Sequence, residues 1–178
     1  SMKGTALVII DVQEALVNAH PAGEKQFLAN LKQLLYAARE NNVPVLYVQH
    51  CDEELVPGSA GWQVYHEIAP LPGEKTFRKH FTSAFRQTDF GGYLQQHGIR
   101  SLVFAGMQTE YCVDTTCRVA FEYGYSIVIP EGATATFDSR KFISAAQLQE
   151  YYEQDIWNGR FAKVLPMAQV LNCLWEKE

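Results

Sequence analysis

Three residues of this chain have types and surroundings that could do covalent chemistry: Asp11, Lys79 and Cys112. Asp11 closes the apolar run "TALVIID". A carboxylate there is costly to bury without a partner, so it reads either as a base or ligand anchor at a sheet edge or as a cap for the next turn. Lys79 lies in "TFRKHFTSAF". If that stretch is extended, alternation puts Phe77, Lys79 and Phe81 on one face. A lysine pointing inward needs an anion, and Asp11 or a thiolate would serve; the other reading leaves Lys79 exposed and buries Arg78. Cys112 lies in "GMQTEYCVDTTCR". With Thr109 as an N-cap, Cys112 falls in the first helical turn. The positive helix end and its free N–H groups favour a thiolate and could cradle an oxyanion. Glu110 and Asp114 oppose ionisation, and the competing reading is a small buried hydrophobe.

The remaining cysteines point elsewhere. Cys117 is expected to pack inside the helix, about one and a half turns from Cys112 and out of disulfide reach. Cys51 ends an apolar run and could line a pocket, and Cys173 fits the apolar stripe of a last helix. They form no CxxC and no spaced metal pattern, which suits reduced thiols in a cytoplasmic protein. "HCDEE" offers His50, Cys51 and Asp52 but no paired histidine, so His50 reads as a solvated strand end and no metal is expected. No GxGxxG or P-loop is present, and no cofactor is expected.

These residues need elements to hold them. Short aliphatic runs with almost no polar alternation, Thr5–Asp11, Val43–His50, Arg100–Gly106 and Tyr125–Pro130, read as buried parallel strands. Helical spacing recurs between them: Phe27 to Ala38, Phe90 to Leu94 and Val113 to Phe121. "FISAAQLQEYYEQ" reads as a further helix, "AKVLP" as a last strand, and "MAQVLNCLWEK" as a closing helix that Pro166 could start. Alternating strands and helices predict an α/β fold, a three-layer α-β-α sandwich around a central parallel sheet. Ligands in such sheets sit beyond the carboxyl ends of the strands, where Asp11 and the Cys112 turn would lie. The long Gly- and Pro-rich stretch after Cys51 reads as a lid or binding loop.

The bulk numbers agree. A chain of 178 residues, 47% of them hydrophobic, suits one domain over residues 1–178. The net charge of −5 gives no basic surface for nucleic acid. No apolar run approaches the roughly 20 residues of a membrane span. Only Lys3 precedes the first apolar stretch and Asp11 interrupts it early, so no secretory leader is expected.

"VIIDVQ", "RKHFTSAFRQTDF" and "GMQTEYCVDTTCRVAFEYGY", in that order and joined by "LVPGSAGWQVYHEIAPLPGE", resemble the isochorismatase-like cysteine hydrolases over about Ala6 to Asp138. The resemblance implies an Asp11–Lys79–Cys112 triad and a cis peptide at Met107–Gln108. It also implies an oxyanion site from the backbone N–H groups of Gln108 and Cys112, and a thioester formed on a small amide or ureido substrate. Trp62, Phe85, Gln108, Tyr111 and Phe137, in or near the motif loops, are candidate pocket residues. Nicotinamidases of that family carry an Asp and two His after the second strand to bind a metal, a set that "HCDEELVPGSAGW" lacks. Isochorismatases proper, which cleave a vinyl ether, usually lack the cysteine. Relatives are commonly dimers or tetramers, so a homo-oligomer is expected. Two other classes compete. A phosphoacceptor domain would need a further acidic pair near the first strand, and a non-catalytic ligand-binding relative would not need the full triad.

Overall fold

The computed structural model describes residues 4–175. Seven parallel strands make one sheet: β1 (Thr5–Ile10), β2 (Val45–His50), β3 (Lys75–Lys79), β4 (Ser101–Met107), β5 (Ser126–Pro130), β6 (Thr134–Ala135) and β7 (Lys163–Leu165). The spatial order is β3-β2-β1-β4-β5-β7, with β6 attached to the end of β4. Helices α1 (Glu14–Val17), α2 (Glu24–Glu40), α3 (Phe90–Gln96), α4 (Asp114–Glu122), α5 (Ala145–Tyr151) and α6 (Met167–Gln169) complete the frame.

Burial follows from strand position. β1 is central, and all of its residues are buried, as expected for a strand covered on both faces. Leu7 and Ile9 pack on one side with Leu31, Leu34 and Leu35 of α2 and with Val170 and Trp175. Ala6, Val8 and Ile10 pack on the other with Phe90 and Leu94 of α3 and with Cys117 and Ala120 of α4. Cys117 is thus a packing residue.

Two expectations need correction, and one strand was not foreseen. The helix expected from Phe142 starts only at Ala145, because Ser144 accepts from the Gln147 N–H while the Gln147 side chain accepts from the Ser144 N–H. Phe142 is left 89% exposed. The closing helix is a short α6 followed by a wider π-type turn over Val170–Leu174, with Val170 and Trp175 facing the core and Cys173 exposed; Glu176 and Lys177 of that prediction, like Lys3, lie outside the described residues. β6 gave no signal, since two residues are too few to show alternation.

Gly106 brings the strand ends together. It pairs with Ile10 across β1 and β4 at φ 138°, and a Cβ there would collide with the Ile10 carbonyl. Only glycine allows this approach, which sets the end of β1 against the loop leading to Cys112. No helix among the described residues is long and apolar enough to cross a membrane.

Candidate active site

Sheet register makes the site. β1 ends at Ile10, so Asp11 is the next residue out. It takes a left-handed φ of 53° while its N–H donates to the Val48 carbonyl at 2.9 Å. Aspartate tolerates that conformation better than most residues. Of the two readings of β3, the structure has the one in which Phe77 and Lys79 are buried and Arg78 is exposed, its guanidinium over the Trp62 ring at 4.9 Å. Lys79 is the in-register partner of His50 at the end of β2. Cys112 sits in a wide turn over Thr109–Val113 that runs into α4, closed by the Val113 N–H to the Gln108 carbonyl at 3.2 Å.

The Lys79 ammonium is the centre. Its Nζ lies 2.9 Å from Asp11 Oδ2, 3.2 Å from Cys112 Sγ, 2.9 Å from His50 Nδ1 and 3.1 Å from the Phe81 carbonyl. Lys79 is fully buried and Asp11 is 2% exposed, so neither charge is screened by water. Cys112 is half-buried. Burial, followed by the Asp11 charge, pushes its thiol up to about 12, against the opposing pull of Lys79. The resting sulfur is therefore a thiol. The second oxygen of Asp11, Oδ1, is buried with no hydrogen-bond partner, a costly state for a carboxylate oxygen.

His50 is a correction. The sequence suggested a solvated strand end; the side chain is about one-fifth exposed and bonds Lys79. Gln13 fixes it: its Oε1 accepts the His50 N–H at 2.9 Å, and its Nε2 donates to the carbonyls of His50 at 3.0 Å and Trp62 at 2.9 Å. Neither role was visible in the sequence, because both depend on which strands are neighbours. Gln13→Leu is expected to cost about 2 kcal/mol by orphaning buried backbone groups, read as a lower denaturation midpoint.

The other residues singled out in the sequence have the following surroundings. Thr109 caps nothing; its hydroxyl pairs with that of Thr134 at 2.8 Å. The carboxylate that raises the Cys112 thiol is Asp11, not Glu110 or Asp114. Asp114 holds Arg118 Nε at 3.0 Å and Trp157 Nε1 at 3.0 Å, and Glu110 accepts from the Thr136 hydroxyl. Trp62 packs with Leu55 and Cys51, donating Nε1 to Cys51 Sγ at 3.3 Å. Phe85 sits among the rings of Phe90, Tyr123 and Tyr125, a packing environment. Tyr111 is 59% exposed and Phe137 is half-buried. The Met107–Gln108 peptide is cis, and the Gln108 side chain lies 3.4 Å from the Thr136 hydroxyl.

Donor atoms of Asp11, His50 and Cys112 lie within 4.8 Å of one another, an oxygen, nitrogen and sulfur set that zinc favours. The Lys79 ammonium already donates to all three side chains and fills the space between them, so the site has its cation built in. A cleft of about 430 Å³, walled by Leu102, Phe121, Ile127 and Phe161, lies at the amino ends of β4 and β5 and is lined by none of Asp11, Lys79 and Cys112.

Comparison with known proteins places this geometry in context. Residues 5–169 match the family model of the isochorismatase domain. The uncharacterized isochorismatase family protein YddQ of Bacillus subtilis is 33% identical, over 90% of this chain and 94% of its own. The ureidoacrylate amidohydrolase RutB of Agrobacterium fabrum is 31% identical, over 73% of this chain and 75% of its own. The crystal structure of an isochorismatase family protein superposes with a TM-score of 0.88 at 34% identity, covering 93% of this chain and 99% of that one.

Proposed function

We propose that this chain, which belongs to the isochorismatase family, is a cysteine hydrolase that cleaves small non-peptide amide or ureido C–N bonds through a thioester on Cys112. The observation that carries the reading is the Lys79 ammonium lying between Asp11 and Cys112. The likeness to a ureidoacrylate amidohydrolase supports the bond class.

The chemistry follows from the charges. A thiol pushed up to about 12 is a weak nucleophile until a base takes its proton. Asp11 Oδ1, buried and unpartnered, is the acceptor. As Sγ attacks the substrate carbonyl, the proton passes to Asp11 and a C–S bond forms. Lys79 stays beside both atoms and keeps the local charge balanced. Backbone N–H groups of Gln108 and Cys112, at the entry of the turn where helical donors lack internal partners, receive the oxyanion. The C–N bond breaks as Asp11 returns its proton to the leaving nitrogen. Water, deprotonated by the same carboxylate, then attacks the thioester. The C–S bond breaks, Asp11 gives the proton it took from water to Sγ, and the acid leaves with the thiol restored.

The test is a panel of small amides, ureido acids and nicotinamide, with acid quenching during turnover and peptide mass spectrometry. An acyl adduct on Cys112 is expected with any substrate that turns over. Turnover with the adduct on another residue would overturn the reading.

A further inference from the structure

One group in contact with Lys79 has no part in the triad. His50 Nδ1 lies 2.9 Å from Lys79 Nζ. An ammonium has only protons to offer, so Nδ1 must accept and the ring proton must sit on Nε2. That nitrogen faces Asp52 Oδ2 at 3.4 Å. Asp52 is itself held by the backbone N–H groups of Glu54 at 2.9 Å and Leu55 at 2.8 Å. With Gln13 gripping the His50 backbone on both sides, the ring position is set from outside the triad, while Lys79 on one nitrogen and Asp52 near the other set the tautomer.

We propose that His50 is a positioning residue: as a neutral imidazole it holds the Lys79 ammonium between Asp11 and Cys112, and its protonation releases that hold. The proposal rests on Cys112 being the nucleophile. The groups facing the imidazole are Lys79 from β3, Asp11 beyond β1, Cys112 from the turn before α4, Asp52 from the loop after β2 and His80 beyond β3. Burial and then Lys79 pull the His50 pKa below its ordinary value, with Asp11 and Asp52 opposing in part. The ring is therefore neutral at pH 7. As pH falls through that lowered pKa, the acceptor on Nδ1 disappears and a second cation is set against the ammonium. Lys79 must then shift away from Cys112.

The experiment follows iodoacetamide alkylation of Cys112 in the full-length protein between pH 5 and 8, resolved by peptide mass spectrometry. The exposed Cys173 in the same sample is the reference. His50→Asn keeps a short acceptor near the place of Nδ1 but cannot take a proton, while His50→Leu keeps neither property. The wild-type to His50→Asn rate ratio is expected to be flat above about pH 6.5 and to fall below it. His50→Leu is expected to alkylate at least about tenfold more slowly than wild type throughout. At pH 7 the ¹⁵N spectrum of the wild-type ring is expected to show a protonated Nε2 and a bare Nδ1. A proton on Nδ1, a ratio flat across the whole range, or a folded His50→Leu with wild-type alkylation would each overturn the proposal. Should His50→Leu not fold, the pH ratio and the ring spectrum decide. Alkylation needs no substrate, so an error in the hydrolytic reading would show as adducts on another residue while these rates stand.

Discussion

Cys112→Ala is expected to lower kcat/KM on any turned-over amide by about four orders of magnitude or more, the scale seen when a covalent nucleophile is removed from a concerted unit. The loss is expected to be this deep because nothing near Sγ can replace it. Lys79 only donates, Asp11 is a carboxylate held 2.9 Å from that lysine, and Cys51 and Cys117 are buried in packing contacts. The fold should hardly register the change. Cys112 is half-buried, and Lys79 keeps Asp11, His50 and the Phe81 carbonyl as partners without it. The stability difference is therefore expected to stay within about 1 kcal/mol, checked by a thermal melt beside the rate measurement. A variant that melts like the wild type and still hydrolyses at a tenth of its rate would remove Cys112 from the mechanism.

What could be read from the sequence tracks how local each cause is. Runs such as "TALVIID" and "RSLVFAG" announce buried parallel strands, because strands covered on both faces lose their alternation. Period-two spacing put Lys79 and Arg78 on opposite faces of β3 but could not choose which face is buried; the fold buries the one that carries Lys79. The sequence could not show which strands are neighbours. His50 enters the site only because β2 lies beside β3 in the register that pairs it with Lys79, and Gln13 matters only because the chain after β1 folds back onto His50 and Trp62. Competition between partners accounts for the rest. Thr109 has the chemistry of an N-cap, but Thr134 of β6 claims its hydroxyl. Glu110 and Asp114 are close to Cys112 in sequence, yet Thr136, Arg118 and Trp157 engage them. Proximity along the chain overstated their influence on the thiol, and the residue that acts on it is distant Asp11.

Lys79→Met is expected to damage stability and activity together, unlike the cysteine variant. Methionine is close in length and apolar, so packing is nearly kept and the change isolates the charge. It leaves the Asp11 carboxylate 2% exposed, with one oxygen already lacking a partner and the other deprived of its ammonium. Removing one member of a buried ion pair costs about 3–5 kcal/mol, mostly from the charge left behind. Asp11→Asn added to Lys79→Met should restore more than half of the lost stability, because it removes the charge itself, and should restore no activity, because an amide cannot take the thiol proton. Denaturant titrations and rate measurements on the single and double variants read both outcomes. A double variant no more stable than the single would mean that Lys79 stabilises the fold through packing and not through Asp11.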